Sequence, residues 1–327
     1  MRTLTLALAL FCAAPLAAAT IPVPAGQSIQ AAIDAAQDGD TISVAAGEFV
    51  GDLDFVGKAV AVVGAGPTTV VHGSGNGPVV RFVSGEGAAS ILDSLTVTGG
   101  VADLGGGLRI IGASPTILRT VITGNRASGR GSGVYLQAST ATLRNNLIAH
   151  NGNAGLGDPH SVEIDSASPS LVNNTIARGD SNGILVRGPS APLIANNVLA
   201  SNGSIVDGGR RGRGICDFSP AGTRMEYNVF FRNRVGALLT NGTDYRRIRS
   251  AQGGIGAPRL VGNVDGRPGF LDPPRRRLTE PFDANDFALG TVGSPHAVDA
   301  GNPDPAFNDR DGSRNDAGFT GGPYVRP

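Results

Sequence analysis

Asn145-Asn146-Leu147-Ile148, Asn173-Asn174-Thr175-Ile176 and Asn196-Asn197-Val198-Leu199 repeat one phrase, two asparagines followed by a β-forming pair. A single-asparagine form follows at Asn228-Val229-Phe230, and weaker cousins precede it at Leu95-Thr96-Val97 and Thr120-Val121-Ile122. From Leu95 through Thr120, Asn146, Asn174, Asn197 and Asn228 the steps are 25, 26, 28, 23 and 31 residues. A period in the mid-twenties with short β-rich segments and glycine-marked turns predicts a solenoid, in which each repeat buries its apolar face against its neighbours.

Other positions align outward from that phrase. Ile117, Leu143, Leu171, Ile194 and Met225 share one inward slot three residues before the repeated position. A second strand follows the turn, as in Leu147-Ile148 and Val198-Leu199, and a third opens with glycine at Gly107, Gly133, Gly183 and Gly214. Ser161-Val162-Glu163-Ile164 fills that same third slot. Three short strands per coil, stacked about 4.8 Å apart, predict an all-β fold, a parallel β-helix. The column Asn146, Asn174, Asn197 and Asn228 is expected to form a structural ladder. Asparagine tolerates the left-handed backbone of a tight bend, and its amide can both donate to and accept from the next coil.

Arg2, the apolar stretch Leu4 to Phe11 and Ala17-Ala18-Ala19 read as a secretory signal over residues 1–19, which places the protein in a periplasmic, surface or extracellular compartment. Its removal leaves one cysteine, Cys216, and no internal disulfide. The 27 basic and 27 acidic residues balance, which argues against a nucleic-acid partner; no membrane span is expected, and the oligomeric state is left open. Ile29, Ala32, Ile33 and Ala36 share a helical face ahead of the first strands and predict a cap over the open end of the solenoid. The expected division is a β-helix over 20–245 and a final coil or coils with an irregular capping region over 246–327. The tail from Asp299 should wrap on the last coil.

Candidate chemistry collects on the third strand. Alternation puts Val162 and Ile164 inward, so Glu163 and Asp165 are expected to face solvent together. Stacking sets Tyr135 and Leu185 beside Glu163, Gln137 and Arg187 beside Asp165, and Arg109 two coils from Glu163. The set Arg109, Tyr135, Gln137, Glu163, Asp165 and Arg187 could bind a sugar polymer, or Asp165 and Arg187 could form an ordinary surface ion pair. For catalysis the candidates are Glu163, Asp165, Arg187 and His160. His150 and His160 bracket an excursion and could lie beside Glu163, without a third ligand at metal spacing. Asp309, Asp311 and Asp316, with Asn315, have the composition of a calcium loop, although the EF-hand spacing fails and an Asp/Asn turn cluster is the plainer explanation. No other cofactor is expected. The Arg246-Arg247-Ile248-Arg249 run could meet an acidic polymer or simply line an exposed loop.

Ser28-Ile29-Gln30-Ala31-Ala32-Ile33-Asp34-Ala35-Ala36, through Gly39-Asp40-Thr41-Ile42, resembles the N-terminal cap and first coil of the right-handed parallel β-helix, or pectin-lyase-like, superfamily. The region from Asp286-Phe287-Ala288-Leu289 through Ser294-Pro295-His296 and Asp309-Arg310-Asp311-Gly312 to Gly321-Gly322-Pro323 resembles the C-terminal part of choice-of-anchor bacterial surface proteins. The superfamily resemblance implies polysaccharide lyases, galacturonan hydrolases, esterases, epimerases and surface proteins as possible activities. The hydrolase motifs Asn-Thr-Asp, Gly-His-Gly and Arg-Ile-Lys do not occur, and the chain has no tryptophan for the Trp-Ile-Asp-His segment of the main pectate lyases. A lysine base could only be Lys58, whereas 26 arginines leave an arginine base open. The leading expectation is therefore an exported β-helix that presents a flat face to polysaccharide or another cell-envelope partner. The alternative is a lyase or hydrolase acting on an extended glycan.

Overall fold

The computed structural model describes residues 17–155, 157, 159–203, 211–252, 260–270, 287, 289 and 296–322. The expected signal segment up to Leu16, and Asp286, Ala288, Ser294, Pro295 and Pro323 of the tail resemblance, lie outside the described residues. The described strands form three long sheets, here numbered by their order within a coil. Sheet I has ten strands from Thr20–Val23 to Leu260–Val261, sheet II nine from Gly47–Val50 to Val264–Asp265, and sheet III nine from Leu53–Asp54 to Thr243–Tyr245. Pairing between successive coils is parallel, and the hairpin that closes sheet III is antiparallel. The fold is an all-β parallel solenoid, as the repeat predicts.

Side-chain alternation builds the core. In sheet I, Ile117, Leu143, Leu171, Ile194 and Met225 stack in register and are buried. Ile122, Ile148, Ile176, Leu199 and Phe230 do the same in sheet II, and Val162 and Ile164 point inward from sheet III. Each such side chain contributes about 1.5–3 kcal/mol by leaving water.

The two asparagines of the repeated phrase divide two jobs between them. Asn145, Asn173 and Asn196 take the left-handed backbone, at φ 55°, 54° and 56°. Asn146, Asn174, Asn197 and Asn228 turn inward and form the ladder: each Nδ2 donates to the next Oδ1 at 3.0 Å, from Asn146 to Asn174, Asn197 and Asn228. The ladder runs one step further, to Asn263 at 2.9 Å. The sequence reading gave both jobs to one column; the inward column needs no left-handed angle because its predecessor supplies the bend.

A second, shorter ladder lies five residues downstream, at the corner between sheets II and III. Asn125 donates to Asn151 at 3.2 Å and Asn202 to Asn233 at 3.0 Å. Between them the ladder position is Gly179. The amides of Asn125, Asn151 and Asn202 abut Gly107, Gly133 and Gly183, where an added Cβ would stand 2.9–3.0 Å away. Opposite Gly179 the strand opens with Ser161 instead, and a Cβ on Gly179 would fall 1.9 Å from its Oγ. That Oγ is buried without a hydrogen-bond partner. The gap in the ladder and the serine thus exchange one volume.

The solenoid ends are covered. Helix α1 (Ile29–Ala35) buries Ile29 and Ile33, and Ser28 caps it by accepting from Ala31 N–H at 3.1 Å. Lys58, the only lysine, donates its ammonium to the carbonyls of Ile33, Asp34 and Ala36 at 2.9, 2.6 and 2.9 Å, which satisfies the last turn of that helix. At the other end the antiparallel hairpin and helix α2 (Ile248–Gln252) bury Ile248 and Ala251.

The tail departs from expectation. It does not wrap on the last coil; it runs back along the outer face of sheet II. Asn302 N–H donates to Asn196 Oδ1, Asn173 Nδ2 to Asn315 Oδ1, and Asn145 Nδ2 to the Gly321 carbonyl, so later residues meet earlier coils. The physical reason is the outer face itself. Leu147, Ala149, Ala177, Val198 and Val229 point outward and form a second apolar cluster with Phe287, Ala297 and Ala317.

Candidate functional site

Sheet III presents a different outer face. Its outward column reads Asp54, Arg81, Arg109, Tyr135, Glu163, Leu185 and Cys216 in register from coil to coil. Asp165 lies between Gln137 and Arg187, as stacking predicts. Beside this face, excursions from three successive coils pair as a small parallel sheet: Val101–Leu104, Arg126–Arg130 and Gly152–Asn153.

The small sheet changes the environment of the carboxylates. Arg130, from its middle strand, donates to Asp165 Oδ2 at 2.9 Å and stands 3.9 Å from Glu163 Oε1. Arg187 pairs with Glu163 and lies 3.5 Å from Asp165. Tyr135 Oη donates to Asp165 at 3.3 Å. Two guanidiniums therefore bridge two carboxylates. The expectation that Glu163 and Asp165 face solvent together is overturned for Glu163, whose side chain is 1% exposed against 15% for Asp165. Tyr135 is also buried and offers no open ring for stacking on a sugar. The reason is local: Arg130 and Arg187 lie over the carboxylates, and the excursion that delivers Arg130 has no counterpart in the three-strand repeat.

Burial pushes the Glu163 carboxyl above the usual carboxylate range, against the pull of Arg187 and Arg130. Burial likewise raises Tyr135. His160 lies elsewhere, with Nδ1 3.1 Å from Ser181 Oγ and 3.2 Å from Asn182 Nδ2. His150 takes a left-handed corner at φ 55° and meets the Phe287 ring edge-on at 6.1 Å, on the sheet II side. Burial, with Arg178 nearby, lowers it to about 4. Cys216 is buried beside the Arg213 guanidinium.

Lower on the same face the small sheet and sheet III leave a cleft of about 530 Å³, lined by Asn76, Pro78, Arg81, Val101, Asp103 and Arg109 among others. Arg81 and Arg109 sit on adjacent coils, a spacing of about 4.8 Å. Arg81 pairs with Asp54 at 3.2 Å, and Arg109 with Asp103 and with the Leu104 carbonyl at 2.9 Å. Of the expected binding set, the structure joins Tyr135, Glu163, Asp165 and Arg187 in one network, keeps Gln137 alongside Asp165, and places Arg109 in the cleft. The sequence reading missed Asp54, Arg81, Asp103 and Arg130. Asp54 and Arg81 were within reach, because Leu53-Asp54 and Val80-Arg81 repeat the inward–outward order of Leu108-Arg109.

The acidic tail residues serve the chain itself. Asp309 accepts from Asp316 N–H at 3.0 Å and from Gly322 N–H, Asp316 from Asp299 N–H at 2.8 Å, and Asp311 from Ser313 N–H at 2.9 Å. Burial, reinforced by Asp309, Asp299 and Asp311, raises Asp316 to about 6. Among the described residues no three His, Cys, Asp or Glu side chains group as a metal-binding set, and no helix is long and apolar enough to cross a membrane.

Comparison with solved structures gives similarity to the pectate lyase Pel9A at 14% identity and a TM-score of 0.45, covering 94% of this chain and 96% of that one. No curated protein matches the chain. The model of the right handed beta helix region matches residues 82–250. With more than half its length matched and its coils stacked in parallel register, the chain belongs to the right-handed β-helix family.

Proposed function

We propose that this chain is a glycan-binding β-helix whose ligand lies in the cleft between sheet III and the small sheet. The observation that carries this reading is the pair of arginines on adjacent coils, Arg81 and Arg109, at the edge of an open, polar cleft. Stacked coils repeat along the axis, so successive units of an extended polymer meet successive coils. The guanidiniums supply planar donor forks to hydroxyl or carboxylate oxygens. Hydrolysis by Glu163 and Asp165 is the weaker reading, because Glu163 is buried and both carboxylates are bridged by Arg130 and Arg187.

Export and a cell-envelope partner complete the reading. They rest on the signal-like first 19 residues and on the tail's resemblance to choice-of-anchor surface proteins. The edge strand Thr20–Val23 begins at the residue that cleavage would leave first. Amino-terminal sequencing of protein recovered outside the cytoplasm should begin at Thr20.

The test is a screen of purified protein against neutral and uronate oligosaccharides. Binding that Arg81→Ala and Arg109→Ala weaken together at least tenfold supports the cleft. Binding indifferent to both sinks it. New reducing ends, or unsaturated product absorbing in the ultraviolet, would replace this reading with the lyase or hydrolase alternative.

A further inference from the structure

The Arg246-Arg247-Ile248-Arg249 run finds no part in the cleft just described. It lines a separate cleft of about 340 Å³ near the C-terminal end of the solenoid, together with Phe231, Arg232 and Asp265 among others. The walls come from four places in the chain: the end of a sheet II strand, the start of the closing hairpin, the entry to helix α2 and the end of the last sheet II strand.

Charge distinguishes this cleft. Among the described residues four arginines line it against one carboxylate, Asp265. That carboxylate is already engaged, accepting from Ile248 N–H at 3.0 Å and Arg249 N–H at 3.4 Å, with the Arg249 guanidinium at 3.6 Å. The nearby Asp244 is held by Arg213 through two contacts, at 3.0 and 2.7 Å, although Arg246 also adds to its field. Arg246, Arg247 and Arg232 are exposed, and Arg232 lies 5.0 Å over the Phe231 ring. Among the described residues, four guanidiniums less one carboxylate leave three positive charges around a concave space. A monocarboxylate would answer only one of them. A phosphomonoester carries roughly −1.5 to −2 at neutral pH and offers three oxygens to bidentate forks. The cleft volume is within the range of small-ligand sites, roughly 300–1,000 Å³, and the Phe231 ring supplies an apolar wall for a small organic body.

We propose that this cleft binds a phosphomonoester on a small molecule, with Arg246, Arg247 and Arg232 as its ligands and Arg249 held in place by Asp265. The site is separate from the glycan cleft and does not depend on it.

The test titrates the full chain at low salt with inorganic phosphate, glucose 6-phosphate and glucose, followed by calorimetry. Both phosphates should bind and glucose should not. Arg246→Gln with Arg247→Gln should weaken binding at least tenfold, while Arg81→Ala with Arg109→Ala leaves it unchanged. Arg247→Lys, which keeps charge and loses the fork, should fall between. Binding should tighten from pH 5 to pH 7.5, because the second phosphate ionisation lies near pH 6. Co-sedimentation with phosphatidic acid vesicles in place of glucose 6-phosphate binding would keep the phosphate chemistry and assign its source to a lipid surface. Absence of phosphate binding at millimolar concentration, equal affinity in the Arg246/Arg247 variant, or equal loss in the Arg81/Arg109 variant would overturn the proposal.

Discussion

Sheets II and III are wound by the same coils, yet their outer faces have opposite fates. Sheet II turns Leu147, Ala177, Val198 and Val229 outward, and the returning tail covers them. Sheet III turns Asp54, Arg81, Arg109 and Glu163 outward, and beside it the small sheet leaves a cleft. Inward positions are nearly interchangeable between the two sheets, because stacking demands only an aliphatic side chain of the right size. Outward positions carry the difference. A solenoid face that is apolar on both sides behaves like a sheet buried between layers, whereas one that alternates faces water or a ligand.

The sharpest way to break this contrast is to give sheet II the chemistry of sheet III. Ala177→Asp buries an unpaired carboxylate under the tail and should cost about 3–5 kcal/mol, read as a lowered urea midpoint. A cost within experimental error would mean that the tail does not seal that face. On sheet III the converse applies. Glu163→Ala removes the close partner of Arg187, leaves it only Asp165 at 3.5 Å and opens a void, and should cost about 1–3 kcal/mol, less than full burial implies because Arg187 is 29% exposed. Replacing Glu163 and Arg187 together by leucine should cost less than the single change, since no charge is then left alone; equal or greater loss would show that the pair is not what holds the strand.

The seam between the faces offers a third measurement. Gly179→Asn alone should destabilise by about 1–3 kcal/mol, through its clash with Ser161 Oγ. Combined with Ser161→Gly it should complete the second ladder and recover the loss, with a gain of about 1 kcal/mol. Simple additivity of the two changes would refute the exchange of volume inferred for that corner.

The smallest expected effect is a pair of opposed pH dependences at the tail. Asp316 is raised to about 6 in the folded chain, so its contribution is full below the ordinary value near 3.8 and is lost as pH rises through 6. His150 is lowered to about 4, so its contribution is full above 6.5 and is lost as pH falls toward 4. Between pH 4 and 6 the two slopes oppose each other. Asp316→Asn keeps an acceptor for Asp299 N–H and should stabilise the chain at pH 7 by about 1 kcal/mol, discounted for partial exposure. It should also leave a melting temperature that rises from pH 4 to 6.5. An unchanged pH profile would remove Asp316 from the account.

The fold was legible because the repeat dictates it: Asn146, Asn174 and Asn197 recur at coil length, and the inward slots align without gaps. The second ladder was equally available, since Asn151, Asn202 and Asn233 each fall five residues after a first-ladder asparagine and Asn125 five after Thr120. The sealed face of sheet II was also signalled, by runs such as Leu147-Ile148-Ala149 and Val198-Leu199-Ala200 in which no position alternates to polar. The site was harder to read. Alternation correctly placed Glu163 and Asp165 outward, but outward is not the same as exposed. Arg130 reaches them from an excursion whose path no periodicity encodes, and the tail meets sheet II through contacts more than 100 residues apart in sequence.

The lysine that closes helix α1 has a practical corollary. Its ammonium is committed to three carbonyls, and every other basic side chain is arginine or histidine. Acylating reagents applied near neutral pH should therefore modify chiefly the α-amino group, tagging each molecule once and tethering the solenoid to a support by a single defined end.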